Sequence, residues 1–441
     1  MLTRWLPWKM IIKRAAKAYG FIDPISLMAR LRRFAQPSEV QEPIELIRAG
    51  ILFHARGLIN TKAIQHNLDW IWPFWVHRQF NPSDVSFIPR SFSVSHVNLT
   101  HRNWTAVGLP DLDAYPIVDP RGLVTPYHDS WSIDFWVMDE HGHALYPSRL
   151  AEVDQKLELV PNLCVVTKAE DQGLTLESRV QAEQPAHPQL SIHVRAWAPT
   201  GGWLIVALRP YNPEGIQFIE RITPSAGKSC LQINARHRLE FDALPERTVF
   251  SDYAEGGVVH RLWTEQPGHG ANCKVGMATG AAMFPIPEGQ KGRTVKLNLD
   301  LAETAAASKQ TSQTWSEALE STAELNIPDP WMQKLYDTAV RTLVLLSSRE
   351  IVPGPYTYKR FWFRDACLML NALLAIGLDQ RAARQLNRFL PNQRVTGYFH
   401  SQEGEWDANG EVLWILDRFQ QVSTRRLSPD WSKAAFRAAR W

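Results

Sequence analysis

The spacing of hydrophobic positions changes character twice along this chain. Near the N-terminus the apolar residues recur at three- and four-residue steps. Trp8, Ile12, Ala15 and Tyr19 mark one helical face and Lys9, Lys13, Arg14 and Lys17 the other, and Leu27, Leu31 and Phe34 follow after Pro24. A further helical pattern runs from Pro43 through Ile44, Ile47 and Ile51 to Leu58. From Phe87 to about Leu301 short alternating runs between turn residues take over, at 91–97, 131–138, 174–180, 190–196, 203–209 and 294–299. Many strands with no intervening helices predict an antiparallel β-sandwich rather than a doubly wound sheet. After Ala302 the chain turns rich in Ala, Ser, Thr and Glu, which reads as a linker with a helix around 315–325. Beyond Pro330 the period is helical again. Leu335, Ala339, Leu343 and Leu346 form a stripe, and helices are expected at 381–389, at 411–422 and from Pro429 to the end. The expected division is a basic helical extension (1–86), a sandwich (87–301), a helical linker (302–330) and a helical unit (331–441).

Within the helical unit, RFWFRDACLMLNALLAIG at 360–377 sets aromatic and charged residues directly against an apolar helix. Leu370, Leu373 and Leu374 supply the helical period, and Gly377 a C-terminal stop. Asp365 has two readings: an N-cap for a helix starting at Ala366, with Arg364 paired to some other acid, or a ligand-holding carboxylate. A second polar stretch, GYFHSQEGEWDANGEVLWIL at 397–416, places His400, Glu405, Trp406, Asp407 and Asn409 ahead of another apolar helix, and Asp407 or Asn409 suits its cap. His101, in HRNW, is a further candidate contact. Asp111, Asp113 and Asp119 look structural.

Composition narrows the functions. Charged residues are 21% of the chain and the net charge is +3, so no concentrated basic face argues for nucleic acid. The eight basic side chains within residues 1–34 are the local exception. Residues 8–34 are expected to pack on the body or form a loose extension, with weak contact to an anionic membrane surface as the other use. No apolar run is long enough to cross a bilayer. The four cysteines lie far apart without a CxxC pair, which argues against a zinc site or a disulfide framework and suits the cytoplasm. No phosphate-cradling glycine run and no paired His or Cys ligands occur, so no metal or nucleotide cofactor is expected. The 18 tryptophans stand out, since their faces suit sugar rings as well as a large core.

Taken with the sandwich and the helix pairs, the two polar stretches resemble the six-hairpin glycosidases. They are most similar to bacterial glycogen-debranching enzymes of the amylo-α-1,6-glucosidase type, and more distantly to glucoamylases and trehalases. FWFRDACLMLNALLAIG resembles the Trp-x-Arg-Asp element that opens the second barrel helix in glucoamylases and debranching glucosidases, and GYFHSQEGEWDANGEVLWIL is similar to the loop and fourth helix of debranching glucosidases. The resemblance implies an incomplete (α/α)6 toroid after the sandwich and an oligosaccharide or α-glucan substrate. It makes Trp362 a wall and Arg364 and Asp365 clamps for sugar hydroxyls, and beside them the loop residues Trp406, Asp407 and Asn409 are expected as further substrate contacts.

Inverting hydrolysis in such enzymes needs an acid and a base roughly 6.5 to 9.5 Å apart. Residues 331–441 have room for about five helices. The resemblance places both acids beyond that length, so the expectation is a fragment lacking them, with a complementary C-terminal half of the barrel as a possible partner. A self-contained alternative pairs Asp365 with Glu403, Glu405 or Asp407. A non-catalytic glucan-binding or interaction protein is the reading from a different class.

Overall fold

Leu174–Glu183 shows how the sheets arise: Leu174, Leu176, Ser178, Val180 and Ala182 point inward while the residues between them are half-exposed. The computed structural model describes residues 57–79, 83, 104–225, 227, 229–263, 268–289, 292–302, 313–356, 358–402 and 404–441. The expected basic helices at 8–34, most of 43–58, the strand at 91–97, His101 and Glu403 lie outside the described residues.

The described strands form two large antiparallel sheets. In the first, Ser132–Asp139 pairs with Gly202–Arg209, which pairs with Thr279–Ile286 and then Arg247–Ser251. In the second, Arg293–Asp300, Gln189–Trp197, Leu174–Glu183 and Cys164–Asp171 are successive neighbours. Ile133, Phe135, Val137, Leu204, Val206 and Leu208 of the first sheet share one core with Val180, Ile192, Val194 and Leu297 of the second. Ser132–Asp139 is buried on both faces, because Trp136 and Met138 pack on the far side with Ile71, Ile205, Val258 and Leu262. Gly202 makes the close pairing possible. At φ +144°, a Cβ there would lie 2.1 Å from the Met138 carbonyl oxygen.

Among the described residues the α-helices are α1 (57–66), α2 (Phe74–Arg78), α3 (Trp315–Leu319), α4 (Pro330–Leu345), α5 (Phe363–Ala375), α6 (Asp379–Asn387), α7 (Ala408–Val422) and α8 (Asp430–Arg440). Two expectations change here. Helix α5 begins at Phe363 rather than Ala366, so Trp362 holds the N-cap position and Asp365 lies inside the first turn. On α4 the buried positions are Val340, Val344 and Leu345, whereas Leu335 is 46% exposed and Ala339 also faces out. Only the C-terminal end of α4 meets the core around α5 and α6, so the stripe is cut short.

That second core joins Leu370, Leu373 and Leu374 of α5 to Leu386 of α6, Val412, Ile415 and Phe419 of α7, and Trp431 of α8. Phe363 is its aromatic hub, edge-on to Phe361, Phe389 and Phe399 at 4.9, 5.2 and 5.4 Å. Helix α5 ends as the sequence requires: Gly377 takes φ +87°, its N–H donates to the Leu374 carbonyl and the Leu378 N–H to that of Leu373.

Sheets and helices meet through a polar seam. The Asp111 carboxylate accepts from Arg381 at 2.9 Å and Arg384 at 2.6 Å, and Arg381 also donates to the Val344 carbonyl in the last turn of α4 and the Ser347 carbonyl just beyond it. The Tyr115 hydroxyl lies 2.7 Å from Ser348 Oγ, and the Trp315 indole N–H donates to the Gly108 carbonyl. Burial pulls the Arg381 guanidinium below its usual range, with Asp111 opposing the effect.

Candidate functional site

Helices α5 and α7 are neighbours that run the same way. Arg364 reaches Asp407 at their N-terminal ends, and Arg418 reaches Asn371 further along. The corner formed by the two N-termini holds most of the residues singled out in the sequence. Each helix end carries about half a positive charge, so carboxylates are favoured there.

The Arg364 Nε and Nη2 both donate to Asp407 Oδ2, at 2.7 and 2.6 Å. Their side chains are 51% and 41% exposed. Asp407 occupies the N-cap position of α7 but makes no capping bond, because its carboxylate turns toward Arg364. Asp407 Oδ1 is buried and has no hydrogen-bond partner among the described residues. The same holds for Trp362 Nε1.

Glu405 lies beneath this pair and is 1% exposed. Its Oε1 accepts the Arg364 backbone N–H at 2.9 Å, its Oε2 accepts from the Ser401 hydroxyl, and its carbonyl accepts from the Tyr398 hydroxyl at 2.7 Å. Glu405 therefore caps α5 from a distant loop and fixes that loop at the same time. Trp406, next to it, is 65% exposed and stacks on Tyr398 at a centroid distance of 6.1 Å.

Asn409 is turned inward. Its Oδ1 accepts the Phe399 N–H at 2.8 Å, and its Nδ2 donates to the Ala438 carbonyl at 3.1 Å, which ties α8 to the start of α7. Asp365 is half-buried in the first turn of α5 and makes no capping bond. His400 borders the loop, its ring 5.9 Å from that of Tyr398.

Sequence reasoning missed Glu411, one turn into α7. Burial and then the Asp407 carboxylate hold its acid above the usual range, with Arg364 opposing them. Its position four residues after Asp407 was the available signal, since residues so spaced share a helix face. The corner thus offers an exposed ring, a guanidinium and carboxylates side by side: donors and acceptors for a polyhydroxylated ligand.

Antiparallel sheets followed by paired helices define the architecture to which known proteins compare. No family model matches the chain, and no curated protein does. Among solved structures it is similar to a bacterial glucoamylase complexed with acarbose, at 11% identity and a TM-score of 0.47, over 72% of this chain and 56% of that one. It is also similar to a protein described as a kojibiose phosphorylase from the human microbiome, at 6% identity and a TM-score of 0.41, over 71% of this chain and 53% of that one. The chain spans about half the length of these two proteins. Among the described residues no helix is long and apolar enough to cross a membrane.

Proposed function

We propose that this protein engages an α-glucan or related oligosaccharide at the corner where α5 and α7 begin, within a six-hairpin glycosidase-type arrangement that follows a β-sandwich. Arg364 and Asp407 are the clamp for vicinal hydroxyls, Trp406 is the stacking platform, and Trp362 and Asp365 line the approach. The observation that carries this reading is the exposed Arg364–Asp407 pair beside Trp406. A surface ion pair stabilises a fold by only about 0 to 1 kcal/mol. Hydrogen bonds from charged groups to a ligand contribute roughly 1.5 to 3 kcal/mol each. The pair therefore suits binding better than folding.

Within this reading a debranching or glucoamylase-like hydrolysis is the finer proposal, and non-catalytic glucan binding is the alternative. The engagement of Glu405 and Asp407 by partners within the chain favours the alternative. Maltose titrated into the full chain should lose about tenfold or more of its affinity for this corner in Arg364→Met and Asp407→Asn, with the melting temperature nearly unchanged. Equal binding in both variants would remove the proposal. Release of glucose from branched and linear α-glucans separates its two forms. Turnover abolished by Asp365→Asn or Asp407→Asn assigns catalysis to this chain, and binding without turnover supports the non-catalytic form.

A further inference from the structure

A second cavity, of about 400 Å³, opens along the seam between the sheets and the loop that leads into α5. That volume lies within the range of small-ligand sites. Its residues are a different set from those of the corner at Arg364.

One wall is aromatic. The Tyr127 and His237 rings face each other at 4.3 Å with a 31° tilt, and Trp131 stands edge-on to His237 at 6.0 Å. Burial, and then Arg236, lower the His237 imidazole to about 4, so near neutral pH this ring is an uncharged face. Trp131 is 2% exposed, and its indole N–H has no acceptor among the described residues. A buried donor left unpaired is costly, and a ligand oxygen would recover that cost.

The rest of the lining is polar and balanced. Asp113 and Asp129 offset Lys359 and Arg236, so neither an anion nor a cation is selected. Lys359 bonds Asp113 at 3.1 Å, and Tyr356 donates to Asp129 Oδ1 at 3.1 Å, so the helical side and the sheet side both contribute. Asn234 reaches the cavity from the hairpin turn between Cys230–Ile233 and His237–Phe241, and it is fixed by accepting the Glu220 and Arg221 N–H groups.

We propose that this seam cavity binds a neutral saccharide of one or two rings, packed against the Tyr127–His237 ring pair and hydrogen-bonded by the Trp131 indole and the charged rim. The ligand class follows from the seam's own chemistry, so the inference stands independently of the corner.

Calorimetric titration of the full 441-residue chain with maltose tests it. The wild type should show binding that Tyr127→Ala weakens at least tenfold and Trp131→Phe, which keeps a ring but removes the N–H, weakens several-fold. Binding at the seam should survive Arg364→Met. Circular dichroism checks the fold of each variant, and if Tyr127→Ala unfolds, Trp131→Phe decides. Wild-type affinity in Trp131→Phe, complete loss of binding in Arg364→Met, or no binding by the wild type overturns the inference. Failure of the corner alone would read differently: binding unchanged in Arg364→Met but lost in Tyr127→Ala.

Discussion

Glu405 bonds the first turn of α5 and Ser401, in the loop before α7, with one carboxylate. Glu405→Ala should destabilise the chain by about 1 kcal/mol, because it removes the acceptor of the part-buried Arg364 N–H and the partner of Ser401. Asp407→Asn, one exposed pair away, should cost under about 1 kcal/mol. Chemical denaturation of the two variants compares them. Asp119 is the other telling residue. Wholly buried, with Oδ1 accepting the Arg121 and Leu123 N–H groups, its carboxyl is pushed up from 3.8 to about 7, mainly by burial. The folded form then holds a proton that the unfolded form has released, so this group's contribution to stability is full below pH 3.8 and declines until about pH 7. Asn keeps the Oδ1 acceptor without the charge. Asp119→Asn should melt close to the wild type at pH 4 and above it at pH 8, and a melting series across pH reads the difference. The Arg364 and Asp407 positions were legible in the sequence as polar residues beside apolar helices. Their pairing was not, because Asp365 stands next to Arg364 in the chain whereas Asp407 arrives only through packing of α5 against α7. Burial of Glu405 and Asn409 was hidden for the same reason.

Elements with strong local signals read correctly in kind. Period-two alternation identified Leu174–Glu183 and Gln189–Trp197, and the leucine spacing with Gly377 identified α5 and its end. The misplacements have local causes. The start of α5 shifted because its cap comes from Glu405 instead of an adjacent side chain. The α4 stripe failed because periodicity reveals an apolar face without revealing how much of it finds a neighbour. Gly377→Ala tests the helix end: φ +87° strains any L-residue, and the new Cβ would lie 2.8 Å from the Ser321 carbonyl oxygen. A loss of about 1 to 3 kcal/mol in thermal unfolding is expected.

Across the whole molecule, the order of sheet-rich and helix-rich segments was visible from texture, but the seam was not. Asp111, Tyr115, Arg381 and Ser348 belong to distant stretches, and no periodicity links them. Arg381 is 5% exposed, so Asp111→Ala would leave a buried cation without its acid, at a cost of about 3 to 5 kcal/mol. Calorimetry should show the sheets and helices of the wild type unfolding together, and the variant separating into two transitions. The cap supplied by Glu405 has one more consequence. The start of α5 is secured by a residue 41 positions further along, so protease cleavage between 398 and 404 should release that first turn while later turns persist. Deuterium uptake at the Arg364 amide would then run ahead of uptake at Leu370 and Leu373, marking this corner as the place where the helical layer begins to open.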